Sequence, residues 1–512
     1  MIRLFVLFGQ ANRPSMRSLL PLQKAPRLHL LGGLTGKSRF DLYDAVLLLL
    51  PTDAKPGHQL PYAGLWQILH RRGEATHAAV RSASFDNRRQ TLAVLGYCRA
   101  GTSAFELLRL AGLLAQRTLT DRPEAQRIAV IAQVNGKARG IWEEALYAAL
   151  AARSFVLPTA KRQEREVKTL ARVDIVGPAK IDTHRAQVLA DANNLARHLT
   201  ALPPNWLDAT GYRRVLTALA RRHGLSLRWH GEPQLAKLGA NAFLAVSRGN
   251  ARRDAGIAEL RYTPRGRAIR PEVALVGKGV LFDTGGTNLK PHKSMLDMHT
   301  DMGGSAVAVA TLVAAARLRV PFAIDAWLAI TENSIGPKAY RPQEVVHALN
   351  GVSIQVIHSD AEGRMALADT LSLAARRRPR AMVDFATLTG ACVYALTERM
   401  SGLFANDAAL AASWLAAAGA SGERLWNFPL PEDYDTDLDS PTADIAQCAV
   451  EGKGDHILAA RFLKRFVPDD VAWAHIDLSS ATRRGGLAHV PTEITGFGAR
   501  LALTWLLDHR AA

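Results

Sequence analysis

At 512 residues the chain is longer than one hydrophobic core usually serves, so two domains are expected. Its 48% hydrophobic and 21% charged residues exclude a disordered or fibrous protein. Cys98, Cys392 and Cys448 lie far apart with no C-x-x-C pair, which argues against a disulfide framework or a thiolate zinc site and fits a reducing compartment. The formal charge of +18 sits at the front: 27 Lys and Arg face 13 Asp and Glu up to residue 180, against 37 and 33 beyond it. Arginines spread this thinly, without aromatic interleaving, form a solvated surface; contact with nucleic acid is the alternative.

In chain order, the first forty residues carry seven Lys and Arg and no acid before Asp41, a faintly transit-like pattern. The simpler reading is a disordered leader over 1–40, or a start at Met16. No apolar run reaches the ~20 residues of a membrane span, so no membrane contact is expected. Residues 43–50, 91–95 and 128–134 are predicted strands and 105–116 a helix, giving a small N-terminal α/β domain over 1–175. Residues 161–172 read as a connector. Residues 183–202, ending at Pro203 and Pro204, read as a helix that opens a C-terminal domain over 176–512. Beyond Arg270, apolar strands at 273–276, 323–330, 354–357 and 381–385 alternate with small-residue helices at 304–317 and 362–376. The expected class is α/β, the larger domain holding a mixed, mostly parallel sheet flanked by helices. Such sheets bind ligands at the carboxyl ends of their strands.

Three segments near those ends hold charge in apolar surroundings: V-G-K-G-V-L-F-D-T-G-G-T-N-L-K-P at 276–291, D-M-G-G at 301–304, and H-S-D-A-E-G-R at 358–364. Lys278, Asp283, Asp301, Asp360 and Glu362 would suffer heavy desolvation there unless paired or metal-bound. Glycines at 277, 279, 285, 286, 303 and 304 allow close approach and sharp turns around the acids. Carboxylates without a His or Cys cluster suit magnesium, manganese or zinc. From the residues alone, salt bridges and a metal site both stand. H-E-x-x-H, G-x-S-x-G and G-x-x-x-x-G-K-[ST] are absent, which leaves zincin, serine-hydrolase and P-loop readings without an anchor.

These segments resemble the signatures of the leucyl aminopeptidase family of cytosolic metallo-aminopeptidases, whose strongest motif reads N-T-D-A-E-G-R. A-T-L-T-G-A at 386–391, W-A-H-I-D at 473–477 and T-G-F-G at 495–498 follow in the family's order and spacing. The likeness covers about residues 170 to 510; the front third shares only size and α/β character. It implies a cytoplasmic hydrolase that removes N-terminal residues from short peptides, using two divalent ions of manganese, zinc or magnesium per subunit. By the same likeness Asp283 and Glu362 bridge both ions, Asp360 completes the looser site, and Lys278 and Asp301 complete the tighter one. A bridging water is the implied nucleophile, and Lys290 stabilises the oxyanion. Arg364 holds a bicarbonate as general base with backbone help from Leu388, while Met298 and Thr387 line the substrate pocket. The family assembles as homohexamers whose active sites face an internal cavity.

Two departures stand out. His358-Ser359 replaces the usual Asn-Thr, and G-D-H-I at 454–457 stands where a G-G-x-x segment is typical; they bear on pocket shape and subunit packing more than on catalysis, and Asp297, Asp455 or His456 could alter side-chain preference. Two rival readings are a dipeptidase of narrow specificity and an aminopeptidase-fold protein that acts by binding nucleic acid through its basic front third.

Overall fold

The computed structural model describes residues 19–508 except 22, 34–35, 162–168 and 265–269, and it sets two large sheets one after the other along the chain. The first is built from β1 (Arg27–Leu31), β2 (Ala45–Pro51), β3 (Val80–Ser84), β4 (Leu92–Cys98), β5 (Arg127–Ala132) and β6 (Arg172–Val176). Its order is β1-β6-β5-β2-β4-β3, parallel throughout except for the antiparallel edge strand β3. Side chains alternate across a strand, and here both faces are covered, which is why β2 is one continuous apolar run. Ala45, Leu47 and Leu49 enter a core with the helices Ala104–Asp121 and Lys137–Arg153; Val46, Leu48 and Leu50 enter another with Trp66 and Phe85.

Part of the stretch expected to be a disordered leader is ordered. β1 pairs with β6, and its only buried side chain is Leu28, so backbone bonds rather than an apolar run hold it. Leu28 N donates to Gln187 Oε1 at 2.9 Å and Ala25 N to Asp191 Oδ1 at 2.9 Å. Residues 1–18, including Met16, lie outside the described residues, as do 162–168 of the connector, whose last residue Arg172 already begins β6.

The second half contributes β7 (Ser226–Gly231), β8 (Gly256–Tyr262), β9 (Val273–Asp283), β10 (Ile324–Asn333), β11 (Val345–His347), β12 (Ser353–Gln355), β13 (Ala381–Ala386), β14 (Ser401–Ala405), β15 (Leu425–Asn427), β16 (Ile445–Ala446) and β17 (Ala472–Asp477). Eight of these form a mixed sheet in the order β15-β14-β17-β13-β9-β10-β8-β7, in which β17, β13, β9 and β10 are mutually parallel. The apolar segment expected at 354–357 as a strand of this sheet pairs elsewhere, as β12 of a small sheet with β11 and β16. Its apolarity has another cause: Ile354 and Val356 fill the core that also receives Met365 and Leu367.

Along β9, Val273 and Leu275 face one core and Ala274 and Val276 the other. The helix Gly303–Arg317 packs on the first face beneath the helix Thr183–Thr200, and Glu362–Ala375 packs on the second. Gly303–Arg317 is buried on all sides over its first thirteen residues, which accounts for its Gly, Ala and Val composition in place of an amphipathic stripe.

Candidate metal centre and active site

Because β10, β9, β13 and β17 run parallel, their carboxyl ends share one edge. Asp283 closes β9 opposite Asn333 of β10, and Ala386 closes β13 opposite Asp477 of β17. The helices Gly303–Arg317 and Glu362–Ala375 begin at the same edge from opposite faces, so Asp301 and Glu362 meet across it. Lys278 Nζ lies 2.8 Å from Asp301 Oδ2 and 2.9 Å from Glu362 Oε1, and donates to Thr387 O at 2.9 Å. Lys290 Nζ lies 2.9 Å from Asp283 Oδ2 and 2.5 Å from Asp360 Oδ1. One oxygen each of Asp283, Asp301 and Glu362 falls within 4.8 Å of the others.

The glycines act in two ways. Gly285 and Gly286, at φ +86° and +64°, turn the chain after Asp283. Gly277 and Gly279 lie inside β9, not in a turn, and serve close approach together with Gly304 and Gly363. A Cβ on Gly304 would lie 1.9 Å from Phe385 O, and one on Gly363 2.6 Å from Lys278 Nζ.

Four buried or half-buried carboxylates thus surround two ammonium groups, and the imbalance shows in the proton affinities of Asp301, Asp360 and Glu362. Burial, with Glu362 and Asp283 adding to it and Lys278 opposing, pushes Asp301 up to about 8. Burial and Asp283 push Asp360 up to about 6 against the pull of Lys290, and burial and Asp283 raise Glu362 as well. Burial works against the charge on Lys278 and Lys290, but the surrounding acids win and both are raised. Glu362 Oε2 is buried with no hydrogen-bond partner. An excess of hard oxygen donors, one of them unsatisfied, fits divalent cations of the magnesium, manganese or zinc kind.

The remaining expected residues share the same cavity. Met298 is half-buried in the short turn Met298–Thr300, and Thr387 Oγ1 donates to Asp301 Oδ1 at 2.7 Å. Leu388 N, expected near an anion, donates to the buried Asp477 Oδ1 at 3.1 Å. Arg364 is buried, with Nη2 bonded to both carboxylate oxygens of Asp455 at 2.8 and 2.9 Å.

Several supporting residues escaped the sequence reading. Asn333 Nδ2 holds Asp283 Oδ1 at 2.8 Å and Ser359 O at 3.0 Å, and Tyr340 Oη donates to Ser359 O at 2.7 Å. Ser359 Oγ donates to Gly285 O at 2.6 Å, stitching the loop before Glu362 to the turn after Asp283. The Asn-to-His change at 358 is at an exposed position, whereas Ser359 keeps a hydroxyl where the turn needs one. The polar run Thr331-Glu332-Asn333 closing the apolar stretch 326–330 was the signal available for Asn333.

Residues 194–503 match the family described as "Cytosol aminopeptidase family, catalytic domain". A probable cytosol aminopeptidase of Acidovorax sp. (strain JS42) is 38% identical over 75% of this chain and 77% of its own length. One of Streptomyces griseus is 36% identical over 80% and 81%. Among solved structures, the bottromycin maturation enzyme BotP in complex with Mn superposes with TM-score 0.79 at 31% identity, covering 90% of this chain and 98% of that one. A mixed α/β framework with a carboxylate-rich centre at its parallel edge thus carries a metallohydrolase site. The chain belongs to the cytosol aminopeptidase family, and its activity is that of a metal-dependent aminopeptidase. Among the described residues, no helix is long and apolar enough to cross a membrane.

Proposed function

We propose that two divalent ions are held by Lys278, Asp283, Asp301, Asp360 and Glu362, with Asp283 and Glu362 shared between them, and that the site removes the N-terminal residue of short peptides. The observation that carries this reading is the surplus of buried carboxylates over ammonium groups, with Glu362 Oε2 left unsatisfied. When bound, such ions polarise the scissile carbonyl and lower the pKa of water. The chain's own residues do the rest. Lys290, held between Asp283 and Asp360, donates to the oxyanion that develops on the carbonyl. Thr387 orients Asp301, and Asn333 orients Asp283. Met298 lines the cavity where the N-terminal side chain sits. Lys278 must lose its proton to become a ligand, so metal uptake releases protons.

We extend this to a division into domains at 175/176, one residue before β6 ends, and to a cytoplasmic homohexamer; family membership supports the latter. The test is hydrolysis of a panel of aminoacyl-arylamides. Chelation should abolish it, and manganese, zinc or magnesium should restore it. Full activity of a verified metal-free preparation would overturn the reading.

A further inference from the structure

Arg364 is a buried cation in the cavity wall, outside the proposed ligand set. Its side chain is 3% exposed. Nη1 donates to Gln447 O at 3.2 Å, Nη2 spans both oxygens of Asp455, and Nε has no hydrogen-bond partner. Gln447 is itself fixed: its Oε1 accepts from Ile357 N and His358 N, and its Nε2 donates to Ala361 O. The guanidinium is therefore anchored to the loop that carries Asp360 and Glu362.

Asp455 opens the helix Asp455–Lys464, where the first-turn amides favour a carboxylate, and Gly454 at φ +63° sets the entry. A pair that served packing alone would be closed on both sides. Here the arginine is sealed, while the Asp455 side chain is 24% exposed and lines the cavity that also holds Lys278, Asp283, Lys290 and Glu362. A single guanidinium nitrogen that donates to both oxygens of a carboxylate fixes its orientation and still leaves each oxygen a free lone pair.

We propose that Asp455 is the proton acceptor of the peptidase reaction, with Arg364 as its positioning residue, so that the chain supplies the anion that bicarbonate or another small carboxylate would otherwise supply. This rests on the metallo-aminopeptidase reading above. As water adds to the scissile carbonyl carbon, its proton passes to an Asp455 oxygen. As the C–N bond breaks, that proton passes to the leaving nitrogen and Asp455 is restored. The products are the free amino acid and the shortened peptide, with no other reactant consumed.

The test uses purified full-length protein loaded with manganese, with formate and bicarbonate as probes. Asp455→Ala should lower kcat on the order of 100-fold, the scale of general-base effects, while metal content by elemental analysis matches wild type. Formate or bicarbonate should restore its rate saturably. Asp455→Asn, which keeps an oxygen for Arg364 but cannot take the proton, should be as slow and gain nothing. Wild type under carbon dioxide exclusion should ignore bicarbonate. A readout apart from activity is thermal shift of metal-free protein: formate should raise the Tm of Asp455→Ala and not that of wild type. Full activity of Asp455→Ala, or a wild-type rate that falls without bicarbonate and returns with it, would overturn the proposal. A wild type that is inactive or holds no metal would instead overturn the reading on which it rests.

Discussion

Two groups of buried acids, one in each half of the molecule, are resolved in opposite ways. In the first sheet Asp174 is fully buried, yet Arg127 Nε at 2.9 Å, Arg172 Nε at 2.5 Å and Tyr43 Oη at 2.8 Å all donate to it. Burial pushes its pKa up, but those bonds prevail and hold it below the usual carboxylate range. In the second, Asp301, Asp360 and Glu362 outnumber the cations beside them, and all three are pushed up. Burial is common to both halves. What marks a functional site is the unmet demand for positive charge, since a purely structural acid is given its donors on folding.

Loss of a shared ligand would undo the second half of that contrast most completely. Asp283→Ala or Glu362→Ala should drop activity to the detection limit and lose metal, with Asp360→Ala milder because it is assigned to one ion. Elemental analysis that finds two ions per subunit in either bridging variant would refute the sharing. Next is Lys290→Ala, which removes a donor that acts mainly on transition-state charge: kcat should fall ~100-fold or more with a modest change in KM. Steady-state kinetics in which KM rises and kcat holds would assign Lys290 to ground-state binding instead.

Asp174→Ala tests the first half. Its arginine partners are 28% and 32% exposed and can rehydrate, so the loss should be about 2–3 kcal/mol, below the ~3–5 of a fully buried pair. Urea denaturation should reveal that loss while kcat of the folded protein stays at the wild-type value; a catalytic defect would mean the two sheets are not independent in this respect.

The smallest effect asks what burial does alone. Glu423, buried and far along the chain from the ligands, accepts from Gly498 N at 3.0 Å and Leu501 N at 2.7 Å, and burial still raises it to about 7. A folded pKa above the unfolded value of 4.5 means its stabilising contribution is complete below 4.5 and is lost as pH rises through about 7. Glu423→Gln lacks that loss, so its Tm relative to wild type should rise by a few degrees between about pH 4.5 and 7 and level off above that. A constant gap across that range would show that the carboxyl does not titrate there.

Much of this was legible in the chain itself. Lys278, Asp283, Asp301, Asp360 and Glu362 could be picked out because ionisable groups interrupt apolar, glycine-rich segments, and β2, β9, β10 and β13 because strands buried on both faces are built around apolar runs. β1 left no such record, since an edge strand needs backbone partners more than apolar side chains, and the apolar stretch around β12 belonged to a core and not to the main sheet.

Which charge meets which is set by the folded chain alone. Asp174 and Asp301 are both acids in apolar surroundings along the chain; one finds Tyr43, 131 residues away, and the other shares its lysine with Glu362. Asp455 could be read only as a departure from a motif until Arg364, 91 residues earlier, was found to hold it. Sequence determines local burial and the chemistry each side chain brings. Partnership depends on strand order and on where helices start relative to strand ends, and the short reach of hydrogen bonds and ion pairs makes those placements decisive.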